Sequence, residues 1–223
     1  MKRIIVAFAL VFWTLNLWAA VDAASCNRVV ESGQNLNQIY DCIDFYWHDG
    51  EYDNPPGSYN NVIILLKKAA AIDPMQYDNF TTAVWLLYSQ YVSWEKDPVN
   101  NTWGQGKDQE AVAMVMQGRR YHRNYFPYNL ETGMHMLNMA RFHLPQYYPL
   151  AAECFELAYQ SAQNDKERIR ALLTLGHTHR YQGQKEEAIA QYQRVLQIDP
   201  NNKVALNNIR LLGGEKELYY AIR

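Results

Sequence analysis

Residues 175–202 read LGHTHRYQGQKEEAIAQYQRVLQIDPNN, and the positions of the small and aromatic residues in this stretch leave few folds open. Leu172 and Leu175 sit at helical spacing just ahead of Gly176, and Ala188 and Tyr192 lie one helical turn apart further on. Small residues such as Gly176 and Ala188 are needed where two helices cross closely, because a larger side chain would hold the axes apart. Gly183, in YQGQKEEA, supplies the left-handed residue that ends a helix, and Lys185, Glu186 and Glu187 open the next one on a solvated face. Pro200 cannot continue that second helix. The stretch therefore predicts two antiparallel helices that press together over small residues and cannot bury their outer faces alone.

Seven positions agree at once: Leu172, Leu175, Gly176, Gly183, Ala188, Tyr192 and Pro200. Together they resemble the tetratricopeptide repeat, a helix–turn–helix unit of about 34 residues. Weaker copies precede it. YYPLAAECFELAYQSAQ (147–163) repeats the second-helix pattern through Ala151, Phe155 and Ala158, after a helix with Met136, Met139 and Ala140 that breaks at Pro145. NVIILLKKAAAIDP (61–74) ends like YQRVLQIDP (192–200), and Leu36, Ile39, Tyr40 and Ile43 mark a helix over about 35–47 ahead of it. TTAVWLLYSQYVSW, with Trp85, Tyr88 and Ser89 in the first-helix slots, pairs with DQEAVAMVMQGRR across a long loop at 95–107. Strand signals are essentially absent. The expected fold is all-α: a right-handed superhelix of antiparallel helix pairs over 35–212, about four repeats and a closing helix from Lys203 to Leu212, with a tail at 213–223.

The first residues have the form of an export signal. Lys2 and Arg3 precede a mostly apolar run from Ile4 to Ala20, and Val21 and Ala23 fit a relaxed small-residue cleavage site. A signal peptide over 1–23, a flexible leader over 24–34 and an exported chain, periplasmic or extracellular, are expected, with no membrane span after cleavage. Attachment of lipid at Cys26 is the alternative, although Asp22 breaks the uncharged run such signals carry. In an oxidising compartment three cysteines allow one bridge, and Cys26 with Cys42 is the expected pair. Cys154, in AAECFELA, reads as a small buried residue. Asn79 (NFT) and Asn100 (NNT) match glycosylation acceptors.

No catalytic motif is present. His177 and His179 are two positions apart, so a helix throws them about 200° apart and they cannot share a metal ion. His179 is expected in the core and His177 on the ligand-facing side. No G-x-S-x-G, H-E-x-x-H or phosphate-cradling loop occurs, and no cofactor or metal is expected. Twenty-one basic against twenty-three acidic residues argue against nucleic acid as the main partner, so RRYHRNYF (119–126) reads as a solvated helix end. The resemblance implies a groove that binds a protein or peptide partner without catalysis. Carried over position by position, it places Leu173, His177, Arg180 and Tyr181 of the fourth repeat in that groove, with Leu86, Gln90 and Trp94 of the second and Leu137 and Arg141 of the third. Self-assembly is one alternative function, and an enzyme site on the 95–107 loop around Trp103 and His122 is another.

Overall fold

A computed structural model describes residues 21–213. Among them are ten α-helices and no strand. The order is α1 (Ala23–Ser32), α2 (Leu36–His48), α3 (Asn60–Ile72), α4 (Tyr77–Lys96), α5 (Lys107–His122), α6 (Phe126–Phe142), α7 (Tyr148–Ser161), α8 (Asp165–Tyr181), α9 (Lys185–Ile198) and α10 (Lys203–Leu211). The chain is an all-α helical-repeat solenoid. Helices α2 to α9 form four antiparallel pairs, and α10 packs on α9 to close the last. The expected signal peptide and C-terminal tail fall almost wholly outside the described residues.

Local sequence explains where helices begin and end. Asn35, Asn164 and Asn202 cap α2, α8 and α10 by accepting backbone N–H bonds from Gln38, Glu167 and Ala205. Gly183 follows α8 with φ +77°, a conformation that suits glycine alone among common residues. One expectation is corrected here. Residues 24–34 do not form a flexible leader: α1 occupies most of them, with the Asp22 side chain capping Ser25. A disulfide joins the fully buried Cys26 to Cys42 of α2, and the Tyr46 hydroxyl donates to Asn27 Oδ1 at 2.8 Å.

The core runs along the axis of the stack in two stretches. The larger gathers apolar residues from α1 to α8. The smaller holds Leu172, Ala188, Tyr192, Val195, Leu196, Ala205 and Ile209, and the half-buried Tyr159 touches both. Each pair packs on the next, as repeat stacks do. Between the second and third pairs the contact is mainly α4 against α6, and α6 also reaches α8. The first helices α4, α6 and α8 thus lie side by side, which brings residues distant in sequence onto one face.

The long loop between α4 and α5 is folded down on α4. Its 3-10 turn (Thr102–Gly104) sets Gly104 so close that a Cβ there would lie 2.1 Å from the Gln90 carbonyl oxygen, and Asn101 Nδ2 donates to the Ser93 carbonyl at 3.0 Å.

Candidate binding face

The face built from α2, α4, α6 and α8 carries a row of rings and guanidinium groups. It starts at Trp47 of α2, whose ring lies 5.8 Å from Tyr59 at the start of α3 and 5.9 Å from Trp85 of α4. One turn along α4, Tyr88 meets His143 at 5.8 Å, and beneath them the buried Tyr91 meets both His143 and Trp94. The Glu95 carboxylate accepts from His143 Nδ1, which fixes the imidazole. Phe142 follows on α6, and Arg141 stands over Phe142 at 4.7 Å and over Tyr181 of α8 at 4.1 Å. Arg180 covers Tyr181 at 5.0 Å and donates to Asn208 Oδ1 at 2.6 Å. Arg141 is exposed and forms no ion pair among the described residues. Its guanidinium is held by ring faces, which leaves its N–H donors for solvent or a ligand.

Of the expected groove residues, the fold brings Arg141, Arg180 and Tyr181 together and leaves Trp94 half-buried beside Tyr91. Four others are corrected. Leu86 and Gln90 are 2% exposed and Leu137 is 6% exposed, so all three belong to the interior. Leu173 is half-buried against the core around Tyr192. In the second repeat the cause is a register error of one residue. Trp85, expected in a packing slot, is exposed, whereas Leu86 beside it is sealed. One step along a helix turns the side chain by about 100°, enough to exchange the two faces. Gln90 holds the structure together locally. Its Nε2 donates to the Ser58 carbonyl at 2.6 Å and to Asn60 Oδ1 at 2.8 Å, pinning the 49–59 segment to α4.

The histidine assignments are also corrected. His177 is half-buried inside the fourth pair, with Nδ1 2.7 Å from the Tyr192 hydroxyl. Burial first, and Arg180 second, hold its pKa below the ordinary histidine value. His179 is half-buried against the Gln184 side chain, and the fully buried side chain between the two is Thr178. Among the described residues no three His, Cys, Asp or Glu side chains gather as metal ligands would. Trp103 and His122 do not share a site, because the sixteen residues of α5, about 24 Å of helix, separate them. His122 is buried and bonded to the Pro74 carbonyl at 2.8 Å. Arg119 is buried too, 2.7 Å from Glu153. Asn79 is 4% exposed and donates to the Tyr40 hydroxyl, while Asn100 lies exposed in its loop.

Residues that sequence reasoning misses are Trp47, Phe142 and the His143–Glu95 pair. A signal exists for Trp47, since it follows Tyr40, Ile43 and Asp44 along one side of α2.

One histidine behind this face makes stability depend on pH. Burial pushes the His135 pKa from 6.5 down to about 4. The folded chain then keeps the ring neutral while the unfolded chain takes up a proton, so stability falls as pH drops from about 6.5 and levels off below about 4. The ring is not fully sealed, so a loss on the order of 2 kcal/mol is expected. Urea melts of the wild type and His135→Gln across this range check it: the variant should lack that part of the acid-side fall.

This architecture, short helix pairs stacked into a solenoid, defines a class of repeat protein. Residues 169–202, which hold most of α8 and all of α9, match the family model of the tetratricopeptide repeat. No curated protein and no solved structure matches the chain. The tetratricopeptide repeat points to a protein–protein interaction module.

Proposed function

We propose that this protein is a non-enzymatic, exported adaptor or scaffold that holds a peptide or partner protein on the face formed by α2, α4, α6 and α8. The observation that carries the reading is the row from Trp47 to Tyr181, in which rings and guanidinium groups from four first helices meet on one surface. Aromatic and arginine side chains contribute most of the binding energy at protein interfaces. Rings already packed against one another also lose little side-chain freedom when a partner arrives. Export is supported by the Cys26–Cys42 disulfide, a bond that persists in oxidising compartments. Cleavage after Ala23 would remove the Asp22 cap and leave α1 held by that bond and its contacts with α2 and α3.

Capture from the envelope fraction of the native host tests the reading. Arg141→Glu and Tyr181→Ala should each lower recovery of the partner by about tenfold or more, with helicity kept in both and melting temperature unchanged in Arg141→Glu; Tyr181→Ala, which removes a half-buried ring from the core edge, should melt somewhat lower. Recovery equal to the wild type in both variants would sink it.

A further inference from the structure

Resting on the binding-module reading, we propose that the Trp47, Tyr59 and Trp85 cluster is a docking surface for an extended, proline-rich peptide carrying a basic residue beside its prolines. The three side chains come from α2, the residue that precedes α3, and α4, yet remain 38%, 37% and 43% exposed. Trp47 and Tyr59 meet at 5.8 Å with their planes inclined by 55°, and Trp47 and Trp85 at 5.9 Å inclined by 36°, so the three touching rings make one ridged aromatic surface that is partly open to solvent. Such a surface suits a polyproline II helix. Its pyrrolidine rings pack against aromatic faces, proline has no backbone N–H to leave unpaired, and the helix is already formed before binding. Its carbonyl oxygens still need donors. The indole N–H groups of Trp47 and Trp85 and the Tyr59 hydroxyl make no hydrogen bond among the described residues, and so can provide them.

The backbone at Tyr59 is strained, and its ring is held out toward solvent nonetheless. Tyr59 is the one non-glycine residue with positive φ among the described residues, at +60°. A bulky side chain is disfavoured there, and such residues cluster at ligand-holding positions. Its neighbours are held firmly: Ser58 and Asn60 by Gln90, and the Asn61 N–H by Asp53 Oδ1 at 2.9 Å.

Charge sets the rest of the ligand. Asp44 and Asp49, on either side of Trp47 in the chain, are both exposed, so this end of the face attracts a cation. Asp44, one turn before Trp47 on the same side of α2, is 79% exposed at its side chain and its one ion-pair partner among the described residues is His48 at 3.5 Å. The opposite end, with Arg141 and Arg180, has the reverse sign.

The test titrates the full chain with a short synthetic peptide of the pattern Arg-x-Pro-x-x-Pro and follows tryptophan fluorescence. Saturable binding is expected, weakened about tenfold when both prolines become alanine or when Trp85→Ala is used. Asp44→Lys should weaken it several-fold and favour a peptide with Glu in place of Arg. Tyr59→Gly suits the backbone there, so it should weaken binding without lowering the melting temperature. Equal affinity for the alanine peptide, or binding unaffected by Trp85→Ala, would overturn the proposal. So would occupation of the rings by an oligosaccharide, or by a second copy of this chain whose dimer is lost in Trp85→Ala. If the peptide fails while Arg141→Glu still costs the native partner, the occupant is wrong and the binding face stands; if both fail, the binding-module reading falls with it.

Discussion

Gly133→Val is expected to destabilise the protein by about 3 kcal/mol or more, the upper range for overpacking a sealed interior. A Cβ at Gly133 would lie 2.6 Å from Phe155 Cε1 and 2.8 Å from Cδ1, and the Phe155 ring is completely buried. The fourth pair repeats the arrangement, with a Cβ at Gly176 falling 2.6 Å from Tyr192 Cε1. Replacing a helical glycine gains at most about 1 kcal/mol in propensity, too little to offset the clash. Thermal melts should show a loss of roughly 6 to 12 °C for a chain of this size. Combining Gly133→Val with Phe155→Leu, which withdraws the ring, should cost less than the sum of the two changes. A variant melting with the wild type would mean that α6 and α7 are not in such close approach.

Opening the Cys26–Cys42 bond should cost about 3 kcal/mol, the value for a loop near its sixteen-residue span. The loss should be confined to one end. Beyond the bond, α1 is held by Val29 and Val30 on the core, the Tyr46–Asn27 hydrogen bond and a 3.3 Å contact from Lys68 Nζ to the Val29 carbonyl. Repeat stacks are coupled mainly between neighbours, so unfolding of α1 need not travel. Hydrogen exchange in Cys42→Ser should show loss of protection over residues 23–32 and unchanged protection in α6 to α9. Cys154 would not exchange into a new bridge, since it is 1% exposed and burial pushes its thiol pKa up. Full protection of 23–32 in the variant would show that packing alone holds α1.

Most helices are legible in the sequence because their apolar residues recur at helical spacing, and the fourth pair is legible in detail because seven positions agree. The third pair hides its best signal. Gly133, Ala151 and Phe155 play the parts of Gly176, Ala188 and Tyr192, but a longer connection containing Pro145 and a 3-10 turn shifts their spacing. Helix α1 escapes notice because AASCNRVVES is only ten residues long and rich in Ser, Cys, Asn and Val, which are middling helix formers; its contacts with α2 and α3 lie outside its own sequence. The face is only half legible. Helix α4 buries Phe80, Ala83, Val84, Leu86, Leu87 and Tyr91, so apolar residues surround much of its circumference and the exposed stripe through Trp85 does not stand out. Arg141 and Tyr181 can be found because a cation and a ring at first-helix positions are unusual enough to notice, while their contact depends on α6 and α8 lying side by side.

Site-specific photo-crosslinking tests the central claim most directly. A crosslinker at Phe142, 59% exposed within the row, is compared with one at Met116, 47% exposed on the second helix of its pair. Both proteins are exposed to the envelope fraction of the native host under identical conditions. The account predicts one crosslinked partner from position 142 that disappears when Arg141→Glu is added, and none from position 116. Equal crosslinking from both positions, or from 116 alone, would contradict it.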